Sequence, residues 1–231
     1  MNTAADVPNH LGFILDGNRR WARAHGLPTL EGHRKGYDNL WPLLDAALAK
    51  GITYLSAYAF STENWKRSQE EVRYLMNLIL LIVTRDLKKL QERNMKLLWI
   101  GSKQGMGKKV QAALEKAEQA TAGNTRGLLG LCINHGGRRE IAEAAQRLVR
   151  DGLRPEEITE ATFAEYIDHP ELPPLDLVIR TSGEYRLSNF MLWRAAYAEL
   201  IFVDKCWPDY TPADLDEALE EYARRHRRHG S

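Results

Sequence analysis

An aspartate, a glycine, an asparagine and two arginines stand in a row at Asp16-Gly17-Asn18-Arg19-Arg20, directly after the apolar run Leu11-Gly12-Phe13-Ile14-Leu15. A run of that length reads as a buried strand, and the carboxyl end of a strand is where an open α/β sheet binds its ligands. The pattern repeats at Leu175-Asp176-Leu177-Val178-Ile179, which leads into Arg180-Thr181-Ser182-Gly183-Glu184-Tyr185-Arg186. Guanidinium groups beside a carboxylate suit phosphate oxygens and a hard divalent cation. Two such strand ends therefore point to two phosphate groups and one metal in a shared cleft.

Asp16 is the leading candidate metal ligand, because a carboxylate at a strand end can meet Mg²⁺ carried on a diphosphate. Gly17 permits close backbone approach, and the short side chain of Asn18 can donate or accept. Arg20 is the stronger phosphate candidate of the two arginines, since Arg19 equally reads as surface charge. Asp-Gly-Asn is also an ordinary turn; the two arginines behind it and the strand before it favour chemistry. His33, after Gly32, can hydrogen-bond a phosphate oxygen or cap the next helix. Ser61, Asn64 and Arg67 form a third polar corner suited to an anion and its leaving group, with Trp65 among them read as packing. Arg180, Arg186 and Ser188 can grip one diphosphate, with Glu184 orienting the arginines; a charged surface loop is the alternative. Glu199, just before a short strand, can supply a second carboxylate to the metal, although spacing alone does not require it.

The chain has no G-x-x-x-x-G-K-[ST] loop, no G-x-G-x-x-G after a strand, no His-Glu-x-x-His and no paired Cys-x-x-Cys. Gly136-Gly137-Arg138 can seat a helix N-terminus near an anion or simply make a tight turn.

These residues need elements to hold them. A polar, glycine-bearing segment spans Arg23 to Gly36, with breaks at Gly26-Leu27-Pro28 and Gly32-His33, and a helix is expected from Tyr37 to Lys50. Strands are expected at Ile52–Phe60, Met95–Ile100, Leu128–Ile133, Leu175–Ile179 and near Leu200-Ile201-Phe202. Helices are expected at Gly107–Ala122, at Glu140–Arg150, briefly after Thr159, and from Thr211-Pro212 onward. Gln69 to Arg93 reads as one long helix whose centre, Leu78-Ile79-Leu80-Leu81-Ile82-Val83, is apolar on nearly every side. Either a partner subunit covers that surplus or one side lines an oily cavity. Alternating strand and helix patterns indicate an α/β single domain over residues 1–231, an open, mostly parallel sheet with helices on both faces, and an apolar tunnel is expected where the centre of that long helix faces inward.

The 231 residues are 44% hydrophobic, enough for a proper core, and the formal net charge of +1 argues against a nucleic-acid binder that works by neutralising phosphates. Two cysteines make neither a disulfide scaffold nor a zinc site, which fits a reduced, cytoplasmic setting. Met1–His10 lacks the apolar stretch of a signal peptide, and no later run reaches about 18 apolar residues, so any membrane relationship is peripheral or by way of the ligand.

The blocks His10 to Ala22, Gly32-His33, Tyr58 to Trp65, Asn134 to Arg138 and Asp176 to Trp193, in this order, closely resemble the cis-prenyltransferases, the undecaprenyl diphosphate synthase family. The likeness runs from about His10 to Gly230. It implies Mg²⁺-dependent condensation of isopentenyl diphosphate with an allylic diphosphate such as farnesyl diphosphate, each addition making a Z double bond. Undecaprenyl diphosphate is the product it suggests first, with a short- or medium-chain product as alternative, and a noncatalytic lipid-binding subunit as another. By resemblance, Asp16 coordinates Mg²⁺, Gly17, Asn18, Arg19 and Arg20 surround the allylic diphosphate, and His33 and Arg67 assist. Asn18, Ser61 and Asn64 serve the chemistry; Arg180, Arg186 and Ser188 hold isopentenyl diphosphate; Glu199 helps to organise the metal. The family's carboxy-terminal Arg-x-Gly, matched by Arg228-His229-Gly230, implies a homodimer in which each tail, through Arg228 and Gly230, closes the partner's isopentenyl site. The extreme N-terminus is expected to be flexible.

The chain departs from the family at several points. Thr29 stands where a basic residue is common, Arg19 where bacterial members have glycine, Ser68 for proline, Tyr185 for histidine, and Gly101-Ser102-Lys103 lacks a Gly-Asp pair. Bulky side chains could set product length by overlap, with Tyr37, Trp41, Met76, Met95 and Trp99 as candidates that are equally ordinary core residues.

Overall fold

The computed structural model describes residues 7–225. The expected flexible N-terminus and the tail Arg228-His229-Gly230 lie outside them. Six strands, β1 (His10–Ile14), β2 (Tyr54–Ser61), β3 (Met95–Ile100), β4 (Gly127–His135), β5 (Leu177–Arg180) and β6 (Glu199–Phe202), form one sheet in the order β3-β4-β2-β1-β5-β6. Every pairing is parallel.

Period-two alternation sends the strand side chains to two apolar layers. Phe13, Leu97, Leu129, Leu131, Ile133, Leu177 and Ile179 join one core, and Ile14, Leu98, Ile100, Leu128, Cys132 and Val178 join the other. Both faces are thus covered, which is why β4 is buried along its whole length instead of alternating with polar residues. The helices are α1 (Asn18–Ala24), α2 (Thr29–Ala49), α3 (Gln69–Val83), α4 (Leu87–Glu92), α5 (Lys108–Thr121), α6 (Gly137–Arg150), α7 (Glu160–Ala164) and α8 (Pro212–Arg224).

Two sequence expectations are corrected. The polar segment before Tyr37 is helical: α1 begins at Asn18, and α2 begins at Thr29 and runs through Gly32-His33 without a break. Both glycines of that stretch are tolerated because the helix lies tightly against α1, where a Cβ on Gly32 would stand 2.0 Å from the Asn18 carbonyl oxygen. The long helix from Gln69 to Arg93 is two helices, interrupted at Thr84-Arg85-Asp86. There the Thr84 hydroxyl donates to the Leu80 carbonyl oxygen at 2.5 Å, and the Asp86 amide reaches back to the Leu81 carbonyl oxygen at 2.9 Å. A side chain competing for a helix carbonyl favours such a break. Asp86, which would otherwise be an exposed helical residue, is turned inward and buried.

Parallel register sets the functional edge. Ile14 is level with Tyr58 of β2 on one side and Arg180 of β5 on the other, so the loops after β1, β2 and β5 open at the same end of the sheet.

Candidate active site

Asp16 stands two residues past the end of β1, and its Oδ2 takes a hydrogen bond from Nη2 of Arg180 at 2.8 Å. The Thr181 hydroxyl fastens the two strand ends, donating to the Asp16 carbonyl oxygen at 2.7 Å and accepting from the Asp16 amide at 3.0 Å. The Asp16 Oδ1 accepts from the Gly17 amide at 2.7 Å. Gly17 has φ +101°, and a Cβ there would press on the Ser182 hydroxyl and Cys206, so the turn admits glycine on both counts.

The buried Arg180 guanidinium also donates through Nη1 to the Ser188 hydroxyl at 2.7 Å and to the Arg186 carbonyl oxygen. Glu184 joins the arginines: Arg20 lies 3.1 Å from its Oε1, and Arg186 pairs with its Oε2. Ser182, Ser188 and Asn189 hold positive φ angles in this loop, a conformation costly for residues with a Cβ and common at ligand clamps.

The opposite side of the mouth is built by α2 and α3. His33 and Glu71 are 5% and 7% exposed, and Glu71 Oε1 lies 2.9 Å from His33 Nε2 and 2.8 Å from Arg67 Nη1. Burial lowers His33 below its ordinary value, with Glu71 opposing. Burial pushes Glu71 upward, but its hydrogen bond with His33 and the Arg67 charge outweigh that and hold the carboxyl below its usual range. At neutral pH the group is a neutral imidazole, a carboxylate and a guanidinium, which leaves Arg67 donors for an anion. Ser61 and Asn64 complete this side, the Ser61 amide donating to Asn64 Oδ1 at 3.1 Å.

Beneath the mouth lies a cavity of about 910 Å³. Asp16, Gly17, Asn18, Arg19, Arg20, His33, Ser61, Asn64, Arg67, Arg180, Arg186 and Ser188 all line it, so the structure brings these twelve sequence candidates together. Its deeper wall is Leu75, Leu78, Ile79 and Ile82 from one stripe of α3. One side of that helix therefore lines an oily cavity, while Leu80, Leu81 and Val83 are not among the lining residues. Thr29 sits at the start of α2 and is not among the lining residues.

Glu199 does not join them. Its carboxylate lies 3.2 Å from Arg225 Nη1 at the amino end of β6, level with Leu177, whereas Arg180 is level with Phe202. Within one chain the two expected metal ligands are at opposite ends of the sheet: Glu199 opens β6, three residues or about 10 Å before the level of Arg180, and Asp16 lies beyond the carboxyl end of β1. Arg228 and Gly230 lie outside the described residues. Among the described residues, no three His, Cys, Asp or Glu side chains converge as a metal cluster. Magnesium needs no such cluster, because one carboxylate with substrate phosphate oxygens and water suffices. Asp16, a partly exposed carboxylate in the cavity lining among the arginines that would hold the phosphates, fits that requirement.

Several site residues escaped the sequence. Glu71 lies three positions after Ser68, whose hydroxyl accepts from the Glu71 amide at 3.3 Å; that spacing signals a helix cap and hides the inward carboxylate. Asn189 donates to Glu63 Oε1 at 3.1 Å and accepts from the Arg138 amide at 2.8 Å, tying the loops after β2, β4 and β5. No spacing rule links positions so far apart.

The sequence matches the family model described as "Putative undecaprenyl diphosphate synthase" over residues 14–230. It is 48% identical over 229 residues to Isoprenyl transferase 2 of Corynebacterium efficiens, covering 97% of this chain and 94% of that one. It is 47% identical to the trans,polycis-polyprenyl diphosphate synthase ((2Z,6E)-farnesyl diphosphate specific) of Thermobifida fusca, covering 97% and 81%. The fold superposes on lavandulyl diphosphate synthase from Lavandula x intermedia, solved with dimethylallyl diphosphate, with a TM-score of 0.92, 35% identity, and 98% and 99% of the two chains covered. With that likeness added to a mouth of arginines over an oily cavity, the chain belongs to the undecaprenyl diphosphate synthase family, the cis-prenyltransferases, and is a transferase that condenses isopentenyl diphosphate with an allylic diphosphate.

Proposed function

We propose that the two sides of the mouth divide the two substrates. The allylic diphosphate lies over Gly17, Asn18, Arg19 and Arg20, with His33 and Arg67 completing its grip, and its hydrocarbon enters the cavity. Isopentenyl diphosphate binds Arg180, Arg186 and Ser188. The observation that carries this reading is the 2.8 Å contact of Asp16 with Arg180, which joins the two anion sites through one carboxylate. In the alternative, a noncatalytic lipid-binding subunit, such a polar mouth would serve no turnover.

The allylic carbon–oxygen bond breaks with its electron pair leaving on the diphosphate. The isopentenyl double bond attacks the allylic carbon, and loss of a proton to a diphosphate oxygen restores an alkene. Arg20, Arg67 and Asn18 stabilise the departing charge, and Ser61 and Asn64 hold the loop that faces the new bond. Asp16 would hold Mg²⁺, which supplies Lewis-acid stabilisation of the leaving diphosphate when bound. The apolar wall of α3 keeps water from the allylic cation.

The apolar wall from Leu75 to Ile82 is about 10 Å long at the rise of a helix. In this reading a wall of that length favours a short- or medium-chain product over undecaprenyl diphosphate. We also read the protein as a cytoplasmic homodimer, in contact with membrane only through its product. Arg225 is tied to Glu199 and to the Leu200 carbonyl oxygen at the end of β6 away from Asp16, which suits a tail that serves a neighbouring subunit. No helix of the described residues is long and apolar enough to cross a membrane.

Incubation with Mg²⁺, labelled isopentenyl diphosphate and separate dimethylallyl, geranyl and farnesyl diphosphates tests the reading. Primer-dependent incorporation into a Z-prenyl diphosphate is expected, and its absence with every primer would overturn it. A fully active monomer would refute the role of the tail.

A further inference from the structure

The inner part of the cavity meets two different surroundings. Toward the sheet it stops at Leu40 and Ala57, behind which a packed core leaves a gap of only about 10 Å³. Toward the end of α3 its lining includes Tyr37 and Ile82. His33 reaches Glu71 in the first turn of α3, whereas Tyr37, one turn further along α2, reaches Asp86 beyond the last turn. The Tyr37 phenol thus spans the space between α2 and the interruption after α3.

Its hydroxyl donates to Asp86 Oδ2, and Asp86 is held from behind by Arg85 Nε at 3.0 Å and Lys89 Nζ at 3.2 Å. Asp86 is 3% exposed, while the Arg85 and Lys89 side chains are partly in solvent. The Tyr37 ring, with Arg34 stacked 5.3 Å above it, and the Asp86 carboxylate thus stand between the cavity lining and the partly exposed Arg85 and Lys89 side chains. Burial, with the Asp86 hydrogen bond, pushes the Tyr37 hydroxyl up to about 12, so it remains a donor. Burial alone would raise Asp86, but Arg85, Tyr37 and Lys89 bring it down to about 2, so it remains an anion.

We propose that Tyr37, braced by Asp86, is the residue that ends chain growth. A hydrocarbon tip advancing along α3 meets the ring edge and can pass only by displacing it, which strips a buried carboxylate of its donor and exposes the tip to the Arg85–Lys89 surface. Growth toward Leu40 offers no comparable exit, because it leads into packed core. This rests on the proposed function, and it adds the side chain that decides product length.

Product length from the wild type and from Tyr37→Ala, Tyr37→Phe and Leu40→Ala tests the proposal, together with binding of unlabelled allylic diphosphates of increasing length. Tyr37→Ala should lengthen the main product by at least one isoprene unit and move the longest tightly bound ligand by the same step. Tyr37→Phe keeps the ring without its brace and should give a mixture of wild-type and longer products. Tyr37→Val is the second variant if the alanine protein folds poorly. Unchanged length and binding in Tyr37→Ala or Tyr37→Val, or lengthening in Leu40→Ala alone, would overturn the assignment. A wild-type distribution from Tyr37→Phe would overturn the role of Asp86. If the wild type incorporates nothing, the functional reading fails, and the binding series still decides whether Tyr37 limits chain length.

Discussion

The Arg180 guanidinium, 3% exposed, and the half-exposed Asp16 carboxylate meet at 2.8 Å across the ends of β5 and β1. A buried cation is thereby compensated by the group proposed to carry the metal, so the metal site and the isopentenyl site share one electrostatic element. Removing the carboxylate should affect both. Asp16→Asn is expected to keep the fold and lower kcat by about 10²–10³, the usual cost of losing one preorganised charge-stabilising group. Steady-state kinetics with an unfolding curve as control would check this; a loss below threefold would contradict it.

Arg180 makes directed bonds through two nitrogens, to Asp16 through Nη2 and to Ser188 through Nη1. Lysine keeps the charge but cannot reproduce that fork. Arg180→Lys should raise KM for isopentenyl diphosphate roughly tenfold or more, corresponding to about 1.4 kcal/mol, and change KM for the allylic substrate much less. Equal effects on both substrates would argue against the division of the mouth.

A Cβ on Gly36 would stand 2.2 Å from Asn18 Oδ1 and 3.0 Å from Trp207 Cδ1. Gly36→Ala must therefore push Asn18 from its place under the proposed allylic diphosphate. A stability loss of about 1–3 kcal/mol is expected from overpacking, with weakened allylic binding measured by calorimetry. An unchanged allylic affinity would show that Asn18 does not contact the diphosphate.

Chelation should separate activity from stability. The described residues contain no metal cluster that knits the fold, whereas Asp16 is placed to hold an ion with substrate. EDTA is expected to abolish turnover, Mg²⁺ to restore it, and the unfolding temperature of the free enzyme to stay within about 1 °C, since an ion bound chiefly with substrate contributes little linkage without it.

His10 makes stability pH-dependent away from the site. Pro173 offers only a carbonyl oxygen, so Nδ1 carries the proton and donates at 2.8 Å, and Nε2 accepts from the Ser56 hydroxyl at 2.8 Å. Burial lowers this histidine to about 4, and burial with nearby arginines lowers His135 to about 3. An unfolded chain takes up these protons near pH 6.5, before the native state does, so stability is full above that pH and falls as pH drops toward 4. The His10 share is on the order of 3 kcal/mol. Urea midpoints from pH 7.5 to 4.5 should decline, less steeply in His10→Asn; a midpoint that rises on acidification would contradict the assignment.

The strand cores, the helix from Tyr37 onward, and the polar corners at Asp16–Arg20, Ser61–Arg67 and Arg180–Ser188 were legible because each depends on local pattern. Periodicity places an apolar stripe, and a strand end places whatever residues follow it. The interruption at Thr84–Asp86 was not legible, because apolar residues at helical spacing resume beyond it and the partner that receives Asp86, the Tyr37 phenol, is supplied by another helix. Glu71 was hidden for a similar reason, since its local role as a cap residue is satisfied whichever way its carboxylate turns.

Family, sheet class and most of the mouth thus follow from the order of residues along the chain, since parallel strands bring successive strand ends to one edge without further information. Tertiary packing alone decided that Arg180 bonds Asp16, that Glu71 joins His33 to Arg67, that Glu199 stands away from the mouth of its own chain, and that Tyr37, in the cavity lining, bonds Asp86. The physical reason is that hydrogen-bond partners distant in sequence are chosen by register and helix crossing, and neither is encoded in the spacing of residues within a single element.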